Sequence, residues 1–148
     1  MPAHLDLVQG LYGAIAKGAS GDEIARFFHP DAKQIEYPSL MRPNGHRRGL
    51  DEMRAGVAVG AQLIADQHYD VHTSVDDRDQ LAVQFTWTAT VARDLGTLRA
   101  GTRLVAHVAA FYLVRDGLIL RQSSYDCYEP PAAVTRTTRP RRSGMLGP

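Results

Sequence analysis

The chain is poor in the features that usually announce a function. It has one cysteine among 148 residues, one tryptophan, and a near balance of 17 Lys and Arg against 16 Asp and Glu, a formal net charge of +1. A lone Cys127 cannot close an intrachain disulfide, which excludes a disulfide-stapled scaffold and makes a reducing cytoplasm the expected location. Charge this close to zero sets up no long-range field, so neither nucleic acid nor an anionic membrane surface is expected as the main partner. No apolar run approaches the roughly 20 residues of a membrane span or has the flanks of a signal peptide. There is no glycine-rich phosphate loop, and His, Asp and Cys are scattered without metal-ligand spacing. His68 and His72 do share one strand face with Asp70 between them, but no third ligand accompanies them. No cofactor and no metal are therefore expected.

What is present is strong periodicity. The length suits one domain, by the usual scale of about 100–200 residues. Leu5, Val8, Leu11, Tyr12 and Ile15 recur at three- and four-residue spacing and stop at Gly18-Ala19-Ser20-Gly21, a helix with its terminator. A short second helix follows, capped by Ser20 or Asp22, carrying Ile24, Phe27 and Phe28, and ended by His29-Pro30-Asp31. Residues 33–37 alternate, with Ile35 and Tyr37 opposite Gln34 and Glu36, and read as a strand closed by Pro38; residues 39–49 read as loop. In that loop Arg47 and Arg48 either guide an anionic ligand or stay solvated. A third helix runs from about Leu50 to Ala65 on the stripe Met53, Val57, Ala61 and Ile64. Then come period-two segments at 67–75, 80–93, 102–115 and 118–128. Helices first and antiparallel strands after define an α+β domain over residues 1–130. Residues 131–148, without apolar period and rich in Arg, read as a basic tail.

The stretch from Val105 to Pro130, VAHVAAFYLVRDGLILRQSSYDCYEP, is the most specific. Asp116-Gly117 between apolar runs signals a two-residue hairpin turn, because both residues tolerate positive φ. Such a turn sets His107 across from Asp126, Ala109 across from Ser124 and Phe111 across from Gln122. Cross-strand Cβ atoms lie about 4.5–5.5 Å apart, so His107 and Asp126 become a candidate acid–base pair. A structural hydrogen bond is the alternative, and a one-residue bulge would move the two to diagonal positions. By the same parity Phe111, Gln122 and Ser124 share the face of Asp126, with Tyr12 and Tyr37 approaching from the first helix and first strand. Trp87, on the face of Val83, Phe85, Ala89 and Val91, either lines a ligand cavity or packs in the core. Leu104, Ala106, Val108, Ala110 and Tyr112 alternate with the proposed pocket set, so the strand is apolar on both faces and a homodimer through the outer one is expected.

Taken in order, the first helix, FFHPDAKQIEYP, HRRGLDEM and FYLVRDGLILRQSSYD resemble the SnoaL-like branch of the nuclear transport factor two-like superfamily over about residues 5–130. The resemblance implies a conical α+β barrel, a curved and mainly antiparallel sheet wrapped around N-terminal helices. That superfamily holds polyketide cyclases, ketosteroid isomerases, limonene-type epoxide hydrolases, scytalone dehydratases and non-catalytic modules, so fold alone does not decide the chemistry. The isomerase general base falls at Tyr37 here and its protonated Asp at Ala109. The hydrolase Asp falls at Ser124, with no Arg-x-Asp between Thr86 and Thr90. The dehydratase pattern matches at most His68. The polyketide-cyclase pattern fits better, since it implies an acid–base Asp toward the end of the last strand, where Asp126 stands.

The expected function is thus a cofactor-independent cyclase or isomerase acting by acid–base chemistry on a small hydrophobic, carbonyl-containing, polyketide-like metabolite. Asp126 and His107 are its catalytic candidates, and Tyr12, Tyr37, Trp87, Phe111, Gln122 and Ser124 its substrate-binding ones. Epoxide hydrolysis or dehydration on the same fold, or a non-catalytic ligand-binding or dimerisation module, are the alternatives. A closed apolar plug around the pair would favour the module, and an open cone with a polar bottom would favour catalysis.

Overall fold

In the computed structural model, which describes residues 3–131, the periodic segments become three helices and six strands. They are α1 (Ala3–Ala16), α2 (Gly21–Ala25), β1 (Phe28–Glu36), β2 (His46–Gly49), α3 (Leu50–Leu63), β3 (Ile64–Asp77), β4 (Gln80–Val91), β5 (Arg103–Arg115) and β6 (Leu118–Tyr128). The basic tail expected at 131–148 lies, after Pro131, outside the described residues. The strands form one curved, unclosed sheet in the order β2-β1-β6-β5-β4-β3, with β1 and β6 parallel and every other neighbouring pair antiparallel. The expected α+β architecture is present.

Each helix end has a local cause. Ser20 caps α2: its Oγ accepts the Glu23 N–H at 3.2 Å, and Glu23 Oε1 accepts the Ser20 N–H at 2.8 Å. Glu52 reaches back in the same way to the Gly49 N–H, at 3.0 Å, where α3 begins. Val8, Leu11 and Tyr12 of α1 are buried against the sheet. On α3 only Met53 is buried, because its remaining apolar stripe overhangs an open cavity instead of a packed core.

Three expectations about the strands are corrected. β1 starts at Phe28, before the expected His29-Pro30-Asp31 helix stop, and its register against β6 shifts between Phe28 and Lys33. Pro30, which has no N–H to give to a ladder, sits in that irregular stretch. Residues 46–49, expected to be loop, form β2 along the edge of β1.

The third correction concerns the hairpin, and it is the consequential one. Asp116 and Gly117 have φ of 54° and 75°, the two left-handed residues the turn needs, and Arg115 pairs with Leu118. Val114 then pairs with Ile119, but Leu113 pairs with Arg121, so Leu120 is an extra residue on β6. Beyond this bulge every pairing differs by one from a regular ladder: His107 faces Cys127, and Val108 faces Asp126. Side chains alternate between sheet faces, so a one-residue slip exchanges them. Leu104, Ala106, Val108, Ala110 and Tyr112, expected on the outer surface, are therefore the buried inner row of β5, packed with Leu81, Val83 and Phe85 of β4.

Candidate active site

A cavity of about 370 Å³ opens between the inner sheet face and the helices. Its apolar wall includes Leu11 and Ile15 of α1, Met53 and Val57 of α3, Phe85 and Trp87 of β4, and Ala106, Val108 and Ala110 of β5. Its polar groups come chiefly from the β2-β1-β6 side: Arg48, Gln34, Glu36, Gln122, Ser124, Asp126 and Tyr128. The cavity is open to solvent and lined by polar as well as apolar side chains, not filled by its own core.

Of the eight expected site residues, Tyr12, Trp87, Gln122, Ser124 and Asp126 line this cavity. The other three do not. His107 points out of the opposite sheet face, exposed, with Nε2 at 2.7 Å from Glu129 Oε2. Phe111 is on that face too, 46 % exposed and edge-on to the Tyr125 ring at 6.1 Å between centroids. Tyr37 stacks on the Tyr125 ring at 4.6 Å between centroids. The proposed pairing of His107 with Asp126 is not formed, and the reason is the Leu120 bulge: it keeps Gln122, Ser124 and Asp126 inside while their expected partners on β5 face outward.

Asp126 is half-buried in the cavity lining, and its carboxyl is held above the usual carboxylate range. Burial is the main cause and the nearby Glu36 carboxylate adds to it, while the Ser124 hydroxyl partly opposes them. Around it stand tyrosines Tyr12, Tyr69, Tyr112 and Tyr128, all pushed above the normal phenol range first by burial, with the Asp126 charge among the further causes. These hydroxyls stay protonated at any physiological pH and can only donate or accept hydrogen bonds.

A continuous hydrogen-bonded chain crosses the site from the sheet edge to α1. Arg48 Nε donates to Gln34 Oε1, Gln34 Nε2 donates to Gln122 Oε1 at 2.9 Å, and Gln122 Nε2 donates to Tyr112 Oη at 3.1 Å. Tyr112 Oη lies 2.5 Å from Tyr12 Oη. A guanidinium has no acceptor, so Arg48 fixes the orientation of both glutamine amides. Tyr112 accepts from Gln122 and either hydroxyl can donate in its bond with Tyr12; when Tyr112 donates, the Tyr12 proton is left for whatever else the cavity holds. Stacking of Tyr12 on Tyr69, 4.3 Å between centroids, holds that ring in place. Trp87 Nε1 donates to Gln67 Oε1 at 3.1 Å and its ring meets Tyr128 edge-on, so the indole is anchored at both ends.

Gln34, Glu36, Arg48, Gln67, Tyr69, Tyr112 and Tyr128 complete the site and were not expected there as a set. The parity of β1 had separated Gln34 and Glu36 from Ile35 and Tyr37, but the inner side of an edge-proximal strand here is the polar one. Among the described residues no group of three or more His, Cys, Asp or Glu side chains gathers as a metal-ligand set. No helix among them is long and apolar enough to cross a membrane.

Comparison with known proteins bears on the family and the fold. Residues 8–122 match the family model of the SnoaL-like domain. No curated protein matches the sequence. Among solved structures, IdmH of Streptomyces antibioticus, a proposed polyketide cyclase, is 23% identical with a TM-score of 0.66, over 85% of this chain and 92% of that one. A SnoaL-like polyketide cyclase of Agrobacterium tumefaciens is 20% identical with a TM-score of 0.63, over 85% and 92%. AclR of Streptomyces galilaeus, a proposed hydroxylase, is 18% identical with a TM-score of 0.64, over 82% and 73%. At these identities the structural likeness speaks to the fold, and the chemistry has to be argued from the side chains.

Proposed function

This chain belongs to the SnoaL-like domain family, and from that premise we propose that it is a cofactor-independent cyclase or isomerase that uses Asp126 for acid–base chemistry on a small, hydrophobic, carbonyl-containing metabolite of polyketide type. The observation that carries this reading is a carboxyl group with a raised pKa in the lining of an aromatic-walled cavity, near tyrosine hydroxyls that remain protonated. A base poised nearer neutrality than an ordinary aspartate can both take and return a proton in one cycle.

As carboxylate, Asp126 removes a proton from the carbon α to a carbonyl. The electron pair moves onto the carbonyl oxygen, where a neutral tyrosine hydroxyl such as that of Tyr12 donates a hydrogen bond to the enolate. In a cyclisation the enolate carbon then attacks a second carbonyl of the same molecule, a carbon–carbon bond forms, and the new alkoxide takes the proton back from Asp126. In an isomerisation the proton returns to a different carbon. Trp87, Phe85 and Val108 supply apolar surface that would hold the substrate and exclude water. His107 has no part in this scheme, being on the other face of the sheet.

Two of the similar solved structures bear polyketide-cyclase names, which supports the substrate class. The cavity's openness and its polar lining groups favour a ligand-processing site over a plugged dimerisation module. A homodimer through the outer sheet face is part of the same proposal: Phe111 and Tyr125, each 46 % exposed, form with Tyr37 an aromatic patch on that face. Cytoplasmic location is proposed on the single free cysteine, Cys127.

The test is Asp126→Asn, assayed on a linear or partly cyclised β-polyketone against the background rate. Turnover should fall by about 10²–10⁴-fold, the usual weight of a general acid–base group, with folding and ligand affinity retained. Undiminished turnover in the Asn variant would remove Asp126 from the mechanism.

A further inference from the structure

We propose that Arg48 is a carboxylate anchor and that the ligand of this cavity is an apolar acid, bound with its anionic end at β2 and its reacting carbon toward β6. The residue pairs with Gln34 across β2 and β1, is half-buried, and turns its guanidinium into the cavity. Among the described residues only Nε has a hydrogen-bond partner, the Gln34 side-chain oxygen. Nη1 and Nη2 remain as donors, the planar fork that matches a carboxylate.

The neighbouring carboxylates Glu36 and Glu52 favour the Arg48 charge from a distance, but their direct contacts are to other groups. Glu36 pairs with Arg42 at 3.8 Å, and Glu52 Oε1 holds the Gly49 N–H at 3.0 Å. Among the described residues no carboxylate forms an ion pair with Arg48, although Arg54 on the adjoining helix has two, Asp22 and Asp51. Burial disfavours the Arg48 charge more than the nearby Glu36 and Glu52 carboxylates favour it, and a ligand that brings a directly paired anion relieves that cost. The helix opposite makes room for the fork. A Cβ at Gly56 would lie 3.2 Å from Arg48 Nη1, and the next cavity-lining positions of α3 are Val57, Gly60 and Ala61.

Position sets the length of the ligand as well. Arg48 pairs through Gln34 of β1 with Gln122 of β6, and Asp126 lies four residues further along β6, so two strand spacings and four residues of rise put the Arg48 and Asp126 backbones about 16 Å apart. With the long Arg48 side chain reaching into the gap, an elongated acid larger than a single ring is needed to meet both residues. The inference concerns the same cavity as the proposed chemistry and adds the substrate's charge, but it does not depend on the role of Asp126.

Trp87 is the only tryptophan in the chain and lines the cavity, so its fluorescence reports occupancy. The probes are 2-naphthoate and the isosteric but neutral 2-naphthamide, titrated at pH 7.5, far above the carboxyl range. Wild type should bind the acid at least about tenfold more tightly than the amide, the gain of a charge-assisted over a neutral pair. Arg48→Gln should abolish the preference while leaving affinity for the amide within about twofold. Arg48→Met, which keeps the stem and removes the cation, reads the same anchor if the Gln variant loses its native circular dichroism. Asp126→Asn should keep the preference, so a failure of the acid–base reading and a failure of this one are separately visible. Equal affinity for acid and amide, a preference that survives in Arg48→Gln, or no Trp87 response to the acid at millimolar concentration would each overturn the proposal.

Discussion

Replacing Tyr112 by Phe removes a single oxygen from the floor of the site, and the structure says what that oxygen does. The Tyr112 side chain is 2 % exposed, and its hydroxyl both accepts from Gln122 Nε2 at 3.1 Å and meets Tyr12 Oη at 2.5 Å. The ring stays and no core volume is lost, so the cost is that of partners left behind. A buried polar group without a partner costs about 1–3 kcal/mol. Tyr12, 5 % exposed, falls in that range, whereas the half-buried Gln122 amide can turn to water in the cavity and contributes less. The sum is about 2 kcal/mol, which for a domain of this size lowers Tm by roughly 8 °C. The urea midpoint should fall with the slope unchanged. Tyr12→Phe alone should cost about 1 kcal/mol, and the double variant should cost less than the sum of the two by about 1 kcal/mol, because removing both hydroxyls leaves neither stranded. Urea unfolding of the four proteins, followed by Trp87 fluorescence and far-ultraviolet circular dichroism, measures the cycle. A Tyr112→Phe protein within about 0.5 kcal/mol of wild type, or single effects that simply add, would refute the coupled network described here.

Three further expectations follow from the same geometry. The carboxyl of Asp126 is raised in the fold above its unfolded value, so the stability this group contributes is complete below the unfolded pKa and is lost as pH rises through the folded one. Asp126→Asn should therefore be more thermostable than wild type at pH 8, with the gap in Tm closing toward pH 3.5; a gap that widens in acid would contradict the burial argument. His107→Ala removes an exposed contact to Glu129 and should change stability by less than about 0.5 kcal/mol and turnover not at all, measured by urea unfolding and steady-state kinetics. Phe111→Glu puts charge into the outer aromatic patch and should convert a dimer to monomer in light scattering at micromolar concentration, with no effect on ligand affinity; a wild type that is already monomeric would remove the dimer from the proposal.

Much of the architecture was legible because it is written in local periodicity. The stripe of Leu5, Val8, Leu11 and Tyr12 makes a helix with one apolar side wherever it is placed, and α1 and α3 lie within a few residues of the expected spans. Long alternation in β4 and β5 can only be sheet, and Asp116-Gly117 turns with both central residues at positive φ, as that dipeptide favours. Asp126, Gln122, Ser124, Tyr12 and Trp87 could be gathered into one site because each rides on an element of this kind. Even the break of β1 at Pro30 has a local reason, though the strand on its N-terminal side is placed by tertiary contacts, the pairing of Phe28 with Ile119 of β6 and its burial in the core.

Facing and register are different in kind, and the hairpin shows why. Arg115 and Leu118 alone leave the ladder regular, and nothing in LILRQSSYD marks Leu120 as the residue to be skipped. Which row of β5 goes inward is decided by what it packs against: Leu104, Ala106, Val108, Ala110 and Tyr112 fill the space under α1 and beside β4, and β6 admits an extra residue to bring Ser124 and Asp126 to the same side. Both faces of β5 are apolar in sequence, so the pattern carries no preference and a single bulge reverses the assignment of His107 and Phe111. The polar relay from Arg48 to Tyr12 is likewise tertiary, since its members come from β2, β1, β6, β5 and α1 and meet only when the edge strand has paired. Local sequence determined which segments become helix or strand and which residues carry chemistry; the competition of whole faces for one core decided which of them meet.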